Sequence, residues 1–338
     1  MGSRKRVVIG GLGGGGDVGL ALILAHELFR VGFRTYVVSF IPYSVKGFGG
    51  ERVSGALVRP VRGRNYGYRV FEDKLYRLGV PEDSVYVVCV EEPIEEVLEA
   101  MDWVARVLRP ACTLHTDLGG DGLVLGYEKK LGSYDTDAVA RAALAYLARR
   151  WGIPARVGIG GLGAEGGGRE INVWELVADL HYLRSKGALL TVLDPDPSDA
   201  WIGHELLRYA SSGMLPMYLH ALEGIVGLVR IYAAYLRGKY RVEPHYRYVF
   251  VLDALKHCEL SPLCVEAGKH GLRGIEGWVR REPSRELRRL YAAITPYNWR
   301  KRLSRIVRNA VRLRSGGGSD IVREVCRCAG LRVYLIIG

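Results

Sequence analysis

Carboxylates and glycines are concentrated at three places where an apolar, strand-like run gives way to a loop. Asp17 follows a run of glycines, Asp117 and Asp121 follow an apolar run, and Glu165 follows a second glycine run. In an open parallel sheet the carboxyl ends of the strands meet at one edge, where ligands bind. Carboxylates gathered there can hold Mg²⁺ against a phosphorylated substrate, or one can act as a general base. We therefore predict Asp117 and Asp121 as catalytic residues or magnesium ligands.

Gly119 and Gly120 lie between these two aspartates and strengthen the interpretation. Missing side chains let a backbone pass close to a ligand, and a simple turn rarely needs two carboxylates as well. Both glycines are therefore candidate ligand-binding residues. His115 lies one residue inside the preceding predicted strand and is equally typical of a histidine buried in the core.

Other acidic residues at the same predicted edge have a structural alternative. Glu170 follows the second glycine run, and Asp194 and Asp196 follow the sixth predicted strand. An aspartate before a proline is a common turn arrangement, and both Asp194 and Asp196 precede one. Asp17 is also well placed to cap the helix predicted after it.

Two glycine loops share the string IGGLG at a separation of 150 residues, each between a predicted strand and a predicted helix. Glycine allows the backbone to approach a ligand, and the N–H groups of a helix N-terminus attract anions. The candidate ligand-binding residues are Gly11, Gly13, Gly14, Gly15, Gly16 and Asp17 in the first loop, and Gly161, Gly163 and Glu165 in the second. The alternative is that the glycines serve only close packing of strand against helix.

The loops satisfy G-x-G-x-x-G but do not favour NAD. A dinucleotide site needs an acidic residue about 20 residues further on, at the end of the second strand. That strand is predicted to end at Phe40 and Ile41, with no acidic residue. Neither loop continues as the Gly-Lys-Ser/Thr of a P-loop. The interpretation that remains for the two loops is a non-standard site for a phosphate, a nucleotide or a sugar.

Apolar runs alternate with helical patterns along most of the chain, which predicts βαβ units and a doubly wound, mainly parallel sheet with a Rossmann-like three-layer α/β arrangement. Strands are predicted at 6–10, 35–40, 85–90, 111–116, 155–159, 188–193, 247–252 and 331–337, and helices at 18–31, 93–108, 135–151, 171–185, 198–212 and 216–236. Residues 42–70 are predicted to form a long excursion. We assign 1–240 to the α/β domain and 241–338 to a helical, basic C-terminal elaboration, either packed on the same sheet or separate.

Positive charge is concentrated in the C-terminal elaboration. Residues 267–314 contain fourteen Lys and Arg against three Glu, whereas 91–102 are acidic, in a chain with a net charge of +12. Such a segment can bind the phosphates of nucleic acid. The aromatic residues Trp278, Tyr291, Tyr297 and Trp299 lie among the basic residues and could stack on bases. The alternative is a solvated surface that pairs in part with the acidic helix.

Four of the six cysteines lie late in the chain, at Cys258, Cys264, Cys326 and Cys328. Neither C-x5-C nor C-x-C is the usual zinc spacing, so zinc is not favoured. Disulfides and free thiols both remain open, because intracellular proteins of hyperthermophiles do form disulfides. The complete absence of Gln and the excess of Arg over Lys indicate such a host, since thermolabile amides are depleted there.

Composition is that of a globular protein, with 49% hydrophobic and 25% charged residues in 338. No apolar run reaches the roughly 18 residues that span a bilayer, and no signal peptide precedes the first predicted strand. We therefore expect a cytoplasmic protein with no membrane partner. A homo-oligomer is left open.

Four segments together resemble a known family. Residues 13–17 (GGGGD), 116–123 (TDLGGDGL), 132–139 (GSYDTDAV) and 161–165 (GLGAE) are similar to those of the domain-of-unknown-function 1152 family of archaea and bacteria, over roughly residues 6–230. The resemblance implies a Rossmann-like fold in which the two glycine loops and the D-x-G-G-D segment share one site. It implies no particular reaction.

Three functions therefore stand at this stage. The first is an enzyme that binds a small anionic molecule, phosphate- or nucleotide-containing, and carries out phosphoryl transfer or hydrolysis with Mg²⁺ or a carboxylate base. The second is an RNA-associated protein that uses residues 267–314. The third is a ligand-binding module without catalysis.

Overall fold

A computed structural model describes residues 5–67, 70–164, 171–233, 236–312 and 320–328. The strands are β1 (Arg6–Gly11), β2 (Arg34–Ile41), β3 (Glu51–Ser54), β4 (Leu57–Arg59), β5 (Val85–Cys89), β6 (Cys112–Leu118), β7 (Ala155–Gly160), β8 (Leu189–Leu193), β9 (Gly227–Ala233), β10 (Leu236–Val242) and β11 (Val249–Asp253). The α-helices are α1 (Gly16–Arg30), α2 (Val45–Phe48), α3 (Ile94–Trp103), α4 (Tyr134–Trp151), α5 (Val173–Ser185), α6 (Ala200–Leu207), α7 (Met214–Leu222), α8 (Ala254–Leu260), α9 (Pro262–His270), α10 (Arg285–Ala293), α11 (Trp299–Arg312) and α12 (Asp320–Cys328).

Nine strands form one mostly parallel sheet in the order β3-β4-β5-β2-β1-β6-β7-β11-β8. The five strands β5, β2, β1, β6 and β7 are parallel neighbours, so their order is third, second, first, fourth, fifth along the chain. The direction of winding reverses at β1, between β2 and β6. In open sheets of this kind, the crevice at such a reversal is where ligands bind.

The central strands are apolar because both of their faces are buried. In β1, Val8 packs into one hydrophobic cluster with residues of α3, α4 and α5, whereas Val7 and Ile9 pack into another with residues of α1, α6 and α7. Alternate side chains of a strand point to opposite faces. The sequence reads as a continuous apolar run for this reason, and helices cover both faces.

The predicted parallel strands are confirmed to within a few residues. The excursion at 42–70 contains α2 and two short strands that extend the sheet, because β4 pairs antiparallel with β5 and β3 pairs antiparallel with β4. The strand predicted at 331–337 lies outside the described residues. Within the part of the chain that the structure describes, no helix is long and apolar enough to cross a membrane.

The helix predicted over 216–236 is wrong in its second half. Helix α7 ends at Leu222, and β9 and β10 then form a separate antiparallel hairpin. Gly224 has φ +80°, a conformation that ends a helix and that glycine adopts without strain. The residues after it alternate between exposed and buried positions, which a strand satisfies and a helix does not.

Part of the C-terminal elaboration belongs to the main sheet. Strand β11 lies between β7 and β8 and is antiparallel to both. Helices α8 to α11 then pack on the same face as α4 and α5. A disulfide joins Cys258 to Cys264, whereas the side chains of Cys326 and Cys328 lie outside the described residues. Cys89 and Cys112 are buried thiols within β5 and β6.

Gly10 of β1 leaves space for the His115 side chain of β6 to pass across β1 and reach β2. His115 of β6 is opposite Gly10 of β1, and its Nε2 lies 2.8 Å from the Val38 carbonyl oxygen of β2. A Cβ on Gly10 would lie 2.0 Å from that oxygen. Burial lowers the pKa of His115 to about 4, so the ring is neutral and donates to the carbonyl. His115 is therefore a core residue that joins β6 to β2.

We expect Gly10→Ala to lower the free energy of unfolding by about 2–4 kcal/mol, because it forces the strands apart and breaks the His115 hydrogen bond. Denaturant unfolding measures this. The matched control is Gly268→Ala in α9, where the new Cβ would meet Ala142 at an ordinary 3.4 Å. Its effect should stay within about 1 kcal/mol, with helix propensity favouring Ala. Equal losses in both variants would contradict the packing argument.

Candidate functional site

A cavity of about 610 Å³ opens at the carboxyl ends of β1, β2 and β6, beside the point where the winding reverses. This volume lies in the range of small-molecule sites. The lining consists of Gly13, Gly14, Gly15, Gly16, Asp17, Ile41, Pro42, Tyr43, Val70, Asp117, Leu118, Asp121, Ser133, Asp135, Thr136, Asp137, Ser211, Ser212, Gly213 and Met214. It therefore brings the first glycine loop together with both predicted catalytic aspartates.

Three helices point their N-termini at this cavity. Residues from the start of α1, α4 and α7 all line it, and these helices are 15, 18 and 9 residues long. Among the described residues, the N-cap residue of each helix makes no side-chain hydrogen bond to the first turn. Two first-turn N–H groups are nevertheless bonded, that of Thr136 to the Asp135 carboxylate at 2.9 Å and that of Leu215 to the Ser212 hydroxyl at 3.2 Å. The first N–H groups of a helix lack intrahelical partners and carry a partial positive charge. The cavity wall is thus rich in donors suited to an anion.

Asp17 holds the first glycine loop against β6. Its carboxylate accepts hydrogen bonds from the backbone N–H groups of Gly13, at 3.0 Å, and Leu118, at 2.9 Å. The residue is buried, so these two donors offset the loss of water. Burial, and then repulsion from Asp121, raise the pKa of Asp17 well above its usual value. Asp17 thus shapes the loop rather than capping α1.

Asp117 and Asp121 are both buried and both fixed by hydrogen bonds. The Asp117 Oδ2 accepts from the N–H groups of Gly120 and Gly122, each at 3.1 Å. The Asp121 Oδ2 accepts from the Ser133 hydroxyl at 2.5 Å and from its N–H at 3.2 Å. Each carboxylate is therefore held in one orientation toward the cavity before any ligand arrives.

Asp137 completes the group and was not among the predicted residues. It lies in the first turn of α4, and its Oδ1 is buried with no hydrogen-bond partner among the described residues. Burial, then the nearby Asp121 and Asp17, raise its pKa well above the usual value, although Arg141 opposes this. An unpartnered buried oxygen is costly and indicates a missing partner.

Asp17, Asp117 and Asp137 each offer a carboxylate oxygen, and these atoms all lie within 4.8 Å of one another. Among the described residues that line the cavity there is no lysine or arginine. Three oxygen ligands in one small space are the donors that Mg²⁺ prefers. The arrangement differs from the predicted pair, because Asp17 and Asp137 join Asp117, while Asp121 stands beside them with its Oδ2 bound to Ser133.

Gly13 makes room for these carboxylates. A Cβ on Gly13 would lie 3.0 Å from the Asp137 Oδ1 and 3.2 Å from the Asp17 Oδ2. Gly11 is similarly close to Asp17, since its Cβ would lie 2.9 Å from that of Asp17. A Cβ on Gly16 would lie 2.4 Å from the Ser212 hydroxyl at the start of α7. Gly11, Gly13 and Gly16 are thus explained by close neighbours, whereas Gly14 and Gly15 have positive φ of +89° and +61°.

The second glycine loop does not line this cavity with its described residues. The Gly163 N–H donates to the Gly119 carbonyl at 2.6 Å, and the Gly119 N–H donates to Gly160 at 3.0 Å. Gly161 and Gly163 have φ of +60° and +80°. The described part of this loop therefore joins the ends of β6 and β7 by backbone contacts, and Gly120 packs against Leu176 nearby. Glu165 and Glu170 lie outside the described residues.

The remaining predicted acids have other partners. Asp194 pairs with Arg247 at 2.7 Å, and Asp196 accepts from the Ser198 N–H at 2.8 Å as a helix cap. Both lie after β8, the edge strand of the sheet. Asp196 therefore has the turn-forming role that its position before a proline predicts, whereas Asp194 is held in an ion pair, and neither residue lines the cavity.

The basic segment at 267–314 packs on the body of the protein through α10 and α11. Leu287, Leu303 and Ile306 are buried in the core, and the described basic side chains of α10 and α11 are exposed, apart from the half-buried Arg302. Trp278 donates to the Gly126 carbonyl and Tyr291 to the Asp179 carboxylate. Trp299 is also buried, whereas Tyr297 is 98% exposed. Three of the four aromatic residues that could stack on bases are therefore engaged within the protein.

We expect Asp137→Asn to raise the free energy of unfolding at neutral pH in buffer without divalent cations. Because the folded pKa of Asp137 is raised, the folded state binds more protons than the unfolded state above about pH 4, and stability falls as the pH rises. The difference between variant and wild type should therefore grow from pH 4 to pH 7. Urea unfolding at several pH values in EDTA measures it.

Asp102→Asn is the contrasting control for that series. Burial raises the pKa of Asp102, but hydrogen bonds from Trp151 and Tyr146 outweigh this and lower it. Asp102→Asn should lower the free energy of unfolding at neutral pH, and this decrease should be smaller in acid. The same sign in both variants would show that the carboxylates at the cavity do not repel one another.

Comparison with known proteins identifies the family but no function. No curated protein and no solved structure matches the chain. A model of the family described as "Protein of unknown function (DUF1152)" matches residues 8–270, a longer span than the sequence motifs indicated, and it includes β11 and helices α8 and α9. The chain belongs to the DUF1152 family.

Proposed function

We propose that this protein is an enzyme that binds a phosphate-bearing small molecule together with a divalent cation, and that its sheet is a Rossmann-like, doubly wound one. The order third, second, first, fourth, fifth of the parallel strands supports the fold assignment. The cavity lies where that arrangement places ligands. Its lining, rather than the fold, supports the function.

The observation that carries the proposal is the buried Asp137 Oδ1. It lies beside Gly13 and Asp17, has no hydrogen-bond partner in the described part of the chain, and belongs to a group of three carboxylates. Like charges so close together cannot all be ionised without a neutralising partner. A divalent cation supplies that partner and takes oxygen ligands, so Asp17, Asp117 and Asp137 would hold Mg²⁺ or a similar ion.

A phosphate explains the rest of the lining. The glycine loop and the starts of α1, α4 and α7 present backbone N–H groups, which bind phosphate oxygens. Five aspartates without a lysine or arginine would repel that anion, and a bound cation reverses the sign of the local field. The cation and the phosphate therefore require each other at this site.

The apolar part of the lining suits an apolar group attached to the phosphate. Ile41, Pro42, Tyr43, Val70 and Met214 supply this part. A nucleotide has both parts, since a planar base can pack against Tyr43 while its phosphates reach the glycine loop. Neither β2 nor Pro42, which follows it, offers an acidic residue for a ribose, so the site does not follow the NAD pattern.

The reaction we propose is phosphoryl transfer or hydrolysis at the phosphate. A cation held by three carboxylates polarises a phosphoryl oxygen and orients it. Asp121, fixed by Ser133 beside that group, is the candidate general base that accepts a proton from water or from an acceptor hydroxyl.

Cation binding is the first test. Titration of metal-free protein with Mg²⁺ and Mn²⁺ should give one site by calorimetry, and a nucleoside triphosphate at saturating Mg²⁺ should raise the melting temperature further. Asp137→Asn should weaken cation binding by at least about tenfold, because one of three anionic ligands is lost. The nucleotide-dependent rise should fall in parallel.

The control is Asp179→Asn, which alters another buried carboxyl with a raised pKa, bonded to Tyr291 on the far side of α5. Its cation affinity should equal that of the wild type. Cation binding that is absent, or lost equally in both variants, would overturn the proposed site.

Turnover is the second test. Asp121→Asn should keep Mg²⁺ and nucleotide binding within a few fold and lower the rate of phosphate release by about 10²-fold or more, the usual contribution of a general base. Phosphate release from a panel of nucleotides and sugar phosphates measures this. Binding without turnover in the wild type would favour the ligand-binding module over the enzyme.

A further inference from the structure

The hairpin of β9 and β10 has one buried face and one exposed face. Ile231 and Val242 are buried in the hydrophobic cluster that contains α7, and Val229 and Tyr240 pack against it. The alternate residues all point outward. We call them the hairpin outer face: Leu228, Arg230 and Tyr232 of β9, and Arg237, Lys239 and Arg241 of β10, each of them exposed.

This face carries four positive charges and no negative one. Residues 227–242 contain no Asp or Glu. Lys239 is directly opposite Arg230 in the antiparallel register. Like charges in that position destabilise a hairpin, so the pair is unfavourable for folding alone. An anionic partner bound across both strands would remove the repulsion.

Large apolar side chains lie exposed among the charges. Tyr232 is 71% exposed and Leu228 is 68% exposed. Tyr232 is opposite Arg237, and the guanidinium of Arg230 lies 5.9 Å from the centre of its ring. A flat aromatic ring flanked by guanidinium groups is a surface on which a nucleobase stacks while the arginines reach its phosphates.

The hairpin is anchored at the carboxyl edge of the sheet, the edge that holds the cavity. Directly after β10, Glu243 accepts from Arg300 of α11 at 2.7 Å and pairs with Arg241 at 3.3 Å. Tyr246 then accepts from the Gly161 N–H at the end of β7. These contacts hold the base of the hairpin to the body of the protein and leave the outer face open.

We propose that the hairpin outer face binds single-stranded nucleic acid, with Arg230, Arg237 and Lys239 on phosphates and Tyr232 stacked on a base. The charge favours a polyanion, and the exposed tyrosine favours unpaired bases, because the bases of a duplex are already stacked. This surface lies apart from the segment at 267–314 and is independent of the proposed function of the cavity.

The test is fluorescence anisotropy of the full chain with a labelled oligouridylate of about 20 nucleotides, a length that exceeds one binding site. EDTA is present, so the result does not depend on a cation at the cavity. The variant Arg230→Gln/Arg237→Gln/Lys239→Gln should raise Kd by about tenfold or more at about 50 mM salt. The slope of log Kd against log salt should fall by about 2, from three lost phosphate contacts at about 0.7 each.

The matched control is Arg106→Gln/Arg149→Gln/Arg150→Gln, which removes the same charge from exposed positions at the ends of α3 and α4. Its Kd should remain within about twofold of the wild type, because these positions lie outside the hairpin. Tyr232→Ala alone should raise Kd roughly five- to tenfold, without changing the salt slope, because stacking involves no phosphate.

Five outcomes would overturn the proposal, and four of them concern the oligonucleotide. The wild type does not bind it, the control variant loses as much affinity as the hairpin variant, or a duplex of the same length binds equally well. In the fourth, binding survives the hairpin variant but is lost on charge reversal of Arg300, Arg302 and Arg305. Binding of phosphatidylserine vesicles, lost in the hairpin variant and without RNA binding, would assign the face to a membrane and would equally overturn it. Asp137→Asn should bind the oligonucleotide as the wild type does, which separates this result from that at the cavity.

Discussion

The burial of the Asp17 carboxylate is the interaction on which the site depends. One oxygen accepts from Gly13 in the loop after β1, and the other accepts from Leu118 at the end of β6. A buried carboxylate is tolerated only where donors replace the lost water. Asp17 therefore fixes the loop after β1 against the end of β6, the two elements that meet where the winding of the sheet reverses.

The glycines follow from that constraint. With Asp17 and Asp137 packed against the loop, a side chain at Gly13 would occupy the space of both carboxylates. The same loop continues into α1, so its N–H groups face the acids at close range. The local field is then set by two opposing sources, the aspartates and the helix N-termini. The electrostatic potential in the cavity depends on both sources, and its sign would change if a cation bound there.

The sequence is informative where local pattern and fold agree. Apolar runs identified the parallel strands, and the rule that ligands bind at strand ends identified Asp17, Asp117 and Asp121, which the cavity does bring together. The sequence did not point to Asp137, because an aspartate in the first turn of a helix is common. Asp137 is 20 residues from Asp117 in the sequence, and only the fold brings the two side chains together. The signal was present, since Asp135 and Asp137 lie in one of the segments that carry the family resemblance.

The errors came from places where tertiary structure overrides a local pattern. The apolar run after Pro216 satisfies helical spacing, and only the turn at Gly224 separates α7 from the hairpin. The two IGGLG loops are alike in sequence, but the first meets carboxylates and the second meets the backbone of Gly119. Identical glycine patterns thus serve a cavity in one case and strand packing in the other, because what matters is the neighbour that the missing side chain admits.

The acidic cavity and the basic hairpin are linked through one helix. Helix α7 starts at the cavity with Met214, and the hairpin packs against it, so a helix of nine residues, about 14 Å long, lies between the two surfaces. This length exceeds the Debye length of about 8 Å at physiological salt, so the charges of the cavity are largely screened at the outer face. Under the two proposals the surfaces differ in what they would require, since the hairpin would bind its partner at low salt without a cation, whereas the cavity would need a divalent ion before a phosphate could enter.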